Sequence, residues 1–136
     1  MSISLGIDWK NVQPMPDVLP IGEYVFTLIG AKLQEGTGRL LIQTAVKNGE
    51  FAGKPFSYTY PNFLADNGKW AIPEFKRLII ALDDEPFEGE SEAAFLNRVS
   101  GKAFGGRIKH REYTPDGDSQ PRTVADLILS SVRQAI

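Results

Sequence analysis

The sequence predicts an all-β domain of five strands with helices inserted between the third and the fourth. Three observations predict it: β-branched and aromatic residues alternate in short runs, turn residues separate those runs, and a helical spacing appears only in the middle of the chain. At 136 residues the chain is long enough to bury a core as one domain. Residues 1–20 hold three of the nine prolines and little periodicity, so they read as an extended arm ahead of a domain over 21–136.

From Glu23 to Leu33 (EYVFTLIGAKL) the composition is that of a strand. Val25, Thr27, Ile29, Ala31 and Leu33 share one face, and Tyr24, Phe26 and Leu28 make the other face apolar too. Such a strand is buried on both sides, or its second face binds something. EGTG at 35–38 is turn chemistry, and RLLIQTAVK at 39–47 is a second strand with Leu40, Ile42, Thr44 and Val46 aligned. Asn48-Gly49 then predicts a tight type I′ hairpin, because both residues tolerate positive φ. The third strand, KPFSYTY at 54–60, places Lys54, Phe56, Tyr58 and Tyr60 on one face.

Pro73 suits the first turn of a helix, and Phe75, Leu78, Ile79 and Leu82 then recur at helical spacing. Ser91 is placed to cap a short second helix, with Phe95, Leu96 and Val99 inward and Gly101 ending it. GGRIKHREYTPDG at 105–117 reads as a fourth strand closed by a Pro115-Asp116-Gly117 turn. The last segment, RTVADLILSSVRQAI, carries both periodicities and is expected to start as a strand and end in a helical turn. Three meandering strands, a helical insertion and two further strands are the connectivity of a five-stranded OB-like Greek-key barrel.

Charge is segregated. The whole chain sums to -2, yet DDEPFEGESE at 83–92 carries six acids and no cation, and Arg98, Lys102, Arg107, Lys109 and Arg111 follow it closely. On a strand, Arg107, Lys109, Arg111 and Tyr113 form one row. Cations that track phosphates and rings that stack on bases hold a single strand when they share a surface. The expected DNA-binding set is therefore Arg39, Lys54, Arg107, Lys109 and Arg111 for phosphates, with Phe56, Tyr58, Tyr60, Trp70 and Tyr113 for bases. A groove of this kind needs no net positive protein, because screening confines each charge to roughly 8–10 Å.

Other functions find less support. There are no cysteines and a single histidine, His110, which points away from the cationic row. No phosphate-loop or dinucleotide motif occurs, and the acids at 83–92 lack calcium-loop spacing. The expectation is a non-enzymatic protein without a cofactor or metal. The alternatives are a protein-interaction module on the same barrel and a metal-dependent nuclease that uses Asp83 or Asp84. No apolar run approaches the ~20 residues that span a bilayer and no secretion signal opens the chain, so a cytoplasmic protein is expected. Nothing in the sequence specifies an oligomer.

The stretch LPIGEYVFTLIGAKL, followed by GRLLIQTAVKNGEFAGKPF, resembles the opening of small phage-encoded single-stranded DNA-binding proteins with an OB-type core. In that family P-x-G-x-Y starts the first strand and G-x-F-x-G-K makes the second hairpin. The likeness covers roughly residues 19–60, the remainder agreeing only in element order. It implies sequence-independent protection of single-stranded DNA in replication or recombination, in the host cytoplasm. Many such proteins end in an acidic tail that recruits partners, whereas this chain ends SSVRQAI. Its acids are internal, so either the loop at 83–92 takes over contact with replication or recombination proteins, or partner recruitment differs here.

Overall fold

The computed structural model describes residues 6, 10, 18–114, 117 and 120–135. Five strands follow in chain order: β1 (Gly22–Leu33), β2 (Leu40–Val46), β3 (Pro55–Tyr60), β4 (Ala103–Tyr113) and β5 (Arg122–Gln134). Between β3 and β4 lie a single 3-10 turn (Lys69–Ala71), α1 (Ile72–Ala81) and α2 (Glu92–Arg98). All pairings are antiparallel, and the sheet order is β3-β2-β1-β4-β5. The outer borders of the sheet are thus β3 and β5, and no ladder joins them among the described residues.

Alternation sorts the side chains. Phe26 and Leu28 of β1, Leu40, Ile42, Thr44 and Val46 of β2, Phe56, Tyr58 and Tyr60 of β3 and Ile108 of β4 are all buried. They share one face because the registers set Phe56 against Thr44 and Thr44 against Leu28, and Val46 against Phe26 and Phe26 against Phe104. The opposite face of β1 is not a second core: Val25 and Thr27 are half-buried and Ile29 is exposed. Ile29 falls at a register shift between Leu28 and Gly30, where one extra residue bends the strand.

α1 covers the open end of the buried face. Its helical spacing turns Phe75, Leu78 and Ile79 inward, and Pro73 sits in its first turn as the sequence requires. The Phe75 ring meets the Tyr60 ring edge-on, with centroids 5.4 Å apart. α2 packs on β1. Ser91 caps it by accepting from the Ala94 N–H at 3.2 Å, and Phe95 and Leu96 are buried as expected. The Asn97 side chain then reaches the end of β1, accepting from the Ala31 N–H and donating to the Ala31 carbonyl, both at 2.9 Å.

Two connections differ from the sequence expectation. β2 and β3 are joined through residues 47–54, with Gly49 and Gly53 at positive φ but not Asn48, so the turn is not the two-residue type I′ form. Closure instead comes from the Gly53 N–H to the Val46 carbonyl and the Val46 N–H to the Lys54 carbonyl. β5 is strand through Gln134, with no helical turn following Ile128 among the described residues. Pairing with β4 decides this, since Val124 faces Arg111 and Leu127 faces Ile108 across the ladder, and tertiary pairing overrides a weak helical period. Pro115 and Asp116 of the expected second turn lie outside the described residues, as does most of the N-terminal arm.

The acidic connector is tied down. Arg98 holds Glu90 at 2.8 Å and lies over the Phe87 ring, while Lys102 and Arg98 meet Asp84 at 3.2 and 3.8 Å. Glu90 is held below the usual carboxylate range chiefly by its hydrogen bond from Arg98. Asp84 is lowered chiefly by the Glu85 backbone N–H, with Lys102 next.

Two outcomes follow from this packing. Phe26→Ala should lose about 3–5 kcal/mol of unfolding free energy in urea, because it empties a site with no exposure at the sheet centre. A carboxylate depressed in the folded state contributes stability that is fully present above its unfolded value, about 4.3 for Glu, and is lost as pH falls through the folded value. Melting temperatures of the wild type and Glu90→Gln should therefore differ at pH 7 and converge as the solution is acidified below about pH 4.

Candidate nucleic-acid interface

Because the sheet curls without closing, its two free borders flank a cleft of about 580 Å³. One wall is Ser57 and Thr59 of β3 with Leu41 of β2; the other is residues 125–130 of β5 with Lys109 of β4. Trp70 stands at the side, 60 % exposed, carried there by the 3-10 turn before α1. Glu74 of the first turn of α1 sits nearby and pairs with Arg77. A second recess of about 240 Å³ continues along the same seam, sharing Ser57 and Ala125 and adding Lys54, Leu19 and Thr123. The two together follow β3 and β5 from Lys54 to Trp70.

The rings expected on β3 are placed elsewhere. Phe56, Tyr58 and Tyr60 are only 7 %, 9 % and 0 % exposed, and they belong to the core rather than to a stacking platform. The cause is the alternation that identified them: all three project onto the face that carries Ile42, Thr44 and Leu40, which is the face α1 covers. The Tyr58 and Tyr60 hydroxyls share one hydrogen bond at 3.3 Å, so each has a partner away from solvent. Burial raises both phenols, Tyr58 well above the ordinary range, with the neighbouring Tyr60 adding to the effect. Tyr58 touches the cleft but has almost no surface to offer.

The cationic row divides. Lys109 lines the cleft and has no ion pair among the described residues. Arg111 is held at 2.6 Å by Asp126, itself a cleft residue, which raises the guanidinium further. Arg107 is drawn away from the cleft: Glu23 binds it at 3.0 Å and also meets Arg133 at 3.7 Å, and Glu23 lies low in pKa chiefly through the Arg107 bond. Glu23 and Arg133 line a separate recess beside Phe51. Tyr113 is 49 % exposed at the far end of β4 and lines no part of the cleft. Arg39 is exposed just before β2, two residues from Leu41. His110, on the other side of β4, contacts the Leu19 carbonyl at 2.7 Å through Nε2.

The cleft thus gathers Trp70, Lys109 and, along its continuation, Lys54 from the expected set; Arg111 borders it through Asp126. Ser57, Thr59, Leu41, Asp126 and Ile128 complete it without having been singled out. The signal for them was available, because they lie on the faces of β2, β3 and β5 opposite to the buried rings. Among the described residues no group of three His, Cys, Asp or Glu side chains is close enough to hold a metal ion. No helix is long and apolar enough to cross a membrane. Compared with known proteins, the chain matches no family model and no curated protein.

The buried phenols give a direct check on this geometry. A phenol raised in the folded state contributes stability that is fully present below its unfolded value of about 10 and is lost as pH rises through the folded value. In an alkaline titration the phenolate absorbance of Tyr58 and Tyr60 should appear only together with loss of the β-sheet circular dichroism. A Tyr58→Phe/Tyr60→Phe variant should lack that late step.

Proposed function

We propose that this chain binds single-stranded DNA along the cleft between β3 and β5, without reading its sequence, and that the sheet is a partly open barrel of the OB type. The strand order supports the second part: pairing β3 with β5 would close β3-β2-β1-β4-β5 into the five-stranded Greek key of that fold. What carries the first part is one juxtaposition, an exposed indole and an ammonium group with no ion pair among the described residues, on a common trough between the β3 and β5 borders. Trp70 supplies the stacking surface, and Lys109 and Lys54 meet phosphates, with Arg39 and Arg111 at the margins. Ser57, Thr59 and Ser130 offer hydroxyls to sugar or phosphate oxygens. Phe56, Tyr58 and Tyr60 act by holding the sheet's curvature, not by stacking.

The proposed role is to protect or organise single strands in phage replication or recombination, in the host cytoplasm, as the likeness of residues 19–60 implies. Partner proteins would dock on the loop at 83–92, where Asp83, Glu85, Glu88 and Glu92 remain exposed after Asp84 and Glu90 are engaged by Arg98 and Lys102. One observation favours a second reading, an interaction module: the free borders of β3 and β5 could both accept an extended peptide as an added strand. Such a complex would protect backbone amides of both strands from exchange and would depend little on salt.

The test is fluorescence quenching of Trp70 in a Trp9→Phe background by oligo-dT, at about 50 and 200 mM salt. Quenching, a marked loss of affinity at the higher salt, and weaker binding of duplex are expected. Trp70→Ala should cost about 1–3 kcal/mol of binding. Lys109→Ala should flatten the salt dependence, while Tyr58→Phe should leave affinity unchanged. Affinity indifferent to salt, or equal for duplex, would contradict the proposal.

A further inference from the structure

Asp126 is the one acid of β5, and it occupies an unusual position: a carboxylate inside the proposed phosphate path. It lines the cleft, lies directly opposite Lys109 in the β4/β5 register, and accepts from Arg111 Nε at 2.6 Å. Directly opposed strand residues on one face have Cβ atoms about 4.5–5.5 Å apart, so its charge stands between both cations of the row that border the cleft. Carboxylate and phosphate oxygens present the same kind of acceptor to a guanidinium. The pair is open to solvent on the Arg111 side and half-buried on the other, with 54 % of the Arg111 side chain and 30 % of that of Asp126 accessible. Exposed pairs are held weakly and exchange partners readily.

We infer that Asp126 is a built-in competitor for phosphate: it holds Arg111 while the cleft is empty, and an entering strand must displace it. This rests on the reading of the cleft as the DNA site. The exchange leaves Asp126 facing Lys109 across the ladder and gives Arg111 to the strand, so affinity is moderated and release is favoured. Glu23 provides an internal comparison. It holds Arg107 and Arg133 by the same chemistry but lines a different recess, away from the cleft.

The inference is tested by oligo-dT titration of Asp126→Asn, Glu23→Gln and Lys109→Ala beside the wild type. Asp126→Ser serves as a second variant, and circular dichroism melts show that each is folded. Asp126→Asn and Asp126→Ser should bind about two- to fivefold tighter, the range an exposed ion pair commands. Their logarithmic salt slope should stay close to that of the wild type, because Arg111 meets the same phosphate in both complexes. Glu23→Gln should bind as the wild type does, and adding Arg111→Ala to Asp126→Asn should remove the gain. Unchanged or weaker binding by both folded Asp126 variants overturns the inference. If Lys109→Ala still weakens binding in that case, the cleft remains the DNA site and the competitor role alone fails. If neither the wild type nor any folded variant binds oligo-dT, the cleft reading fails and this inference falls with it.

Discussion

The chain of rings from Phe104 through Phe26, Phe56, Tyr58 and Tyr60 to Phe75 joins three strands, β4, β1 and β3, to α1, with successive centroids 5.3–6.1 Å apart. Each contact adds its specific geometry to the area that it buries. Because the chain of rings spans strands that are not all neighbours, it sets how tightly the sheet can curl, and α1 seats itself where the curl leaves Tyr60 uncovered. The exposed groove on the other side follows from this. The residues there are those that alternation leaves over when six aromatic rings have been committed to the core.

Bulges and glycines adapt the sheet to that curl. β4 shifts register between Gly105 and Arg107, and a Cβ at Gly106 would come within 2.6 Å of the Leu127 side chain. At Gly105 a Cβ would meet the Arg133 guanidinium, which reaches across the strand to Glu23. Two successive residues without side chains thus let the β4/β5 hairpin fold close over the sheet. Arg107 follows this irregular step and is turned toward β1, and Lys109, two residues later, borders the cleft. The row that looks uniform as a sequence is divided by Glu23, which stands opposite Arg107 in the β1/β4 register and binds it.

Element type was legible wherever a period was strong. The five strands and both helices fall where alternation, the Ser91 cap and Pro73 placed them, because those signals act over a few residues. The buried face of β2 could be read for the same reason. Choosing which face of β3 would be wet was not possible from local pattern, since Phe56, Tyr58 and Tyr60 satisfy the demands of a core and of a stacking surface equally well. The decision is made by α1, more than ten residues away in the chain, and by the mutual hydrogen bond that lets two phenols go dry. In the same way, no pattern in β4 reveals that Glu23 claims Arg107 while Lys109 has no ion pair among the described residues, for Glu23 reaches the row only through the β1/β4 register. Trp70 illustrates the opposite case: of the rings assigned to bases, it is the one that the 3-10 turn leaves standing in solvent beside the cleft.

The separation of β3 from β5 also has a mechanical meaning. A fully sewn cylinder can widen only by breaking rungs of its ladder, whereas among the described residues no rung joins β3 to β5. If the cleft holds single strands as proposed, purines and pyrimidines arriving in arbitrary order would meet an open seam rather than a ladder that the bulkier base must break.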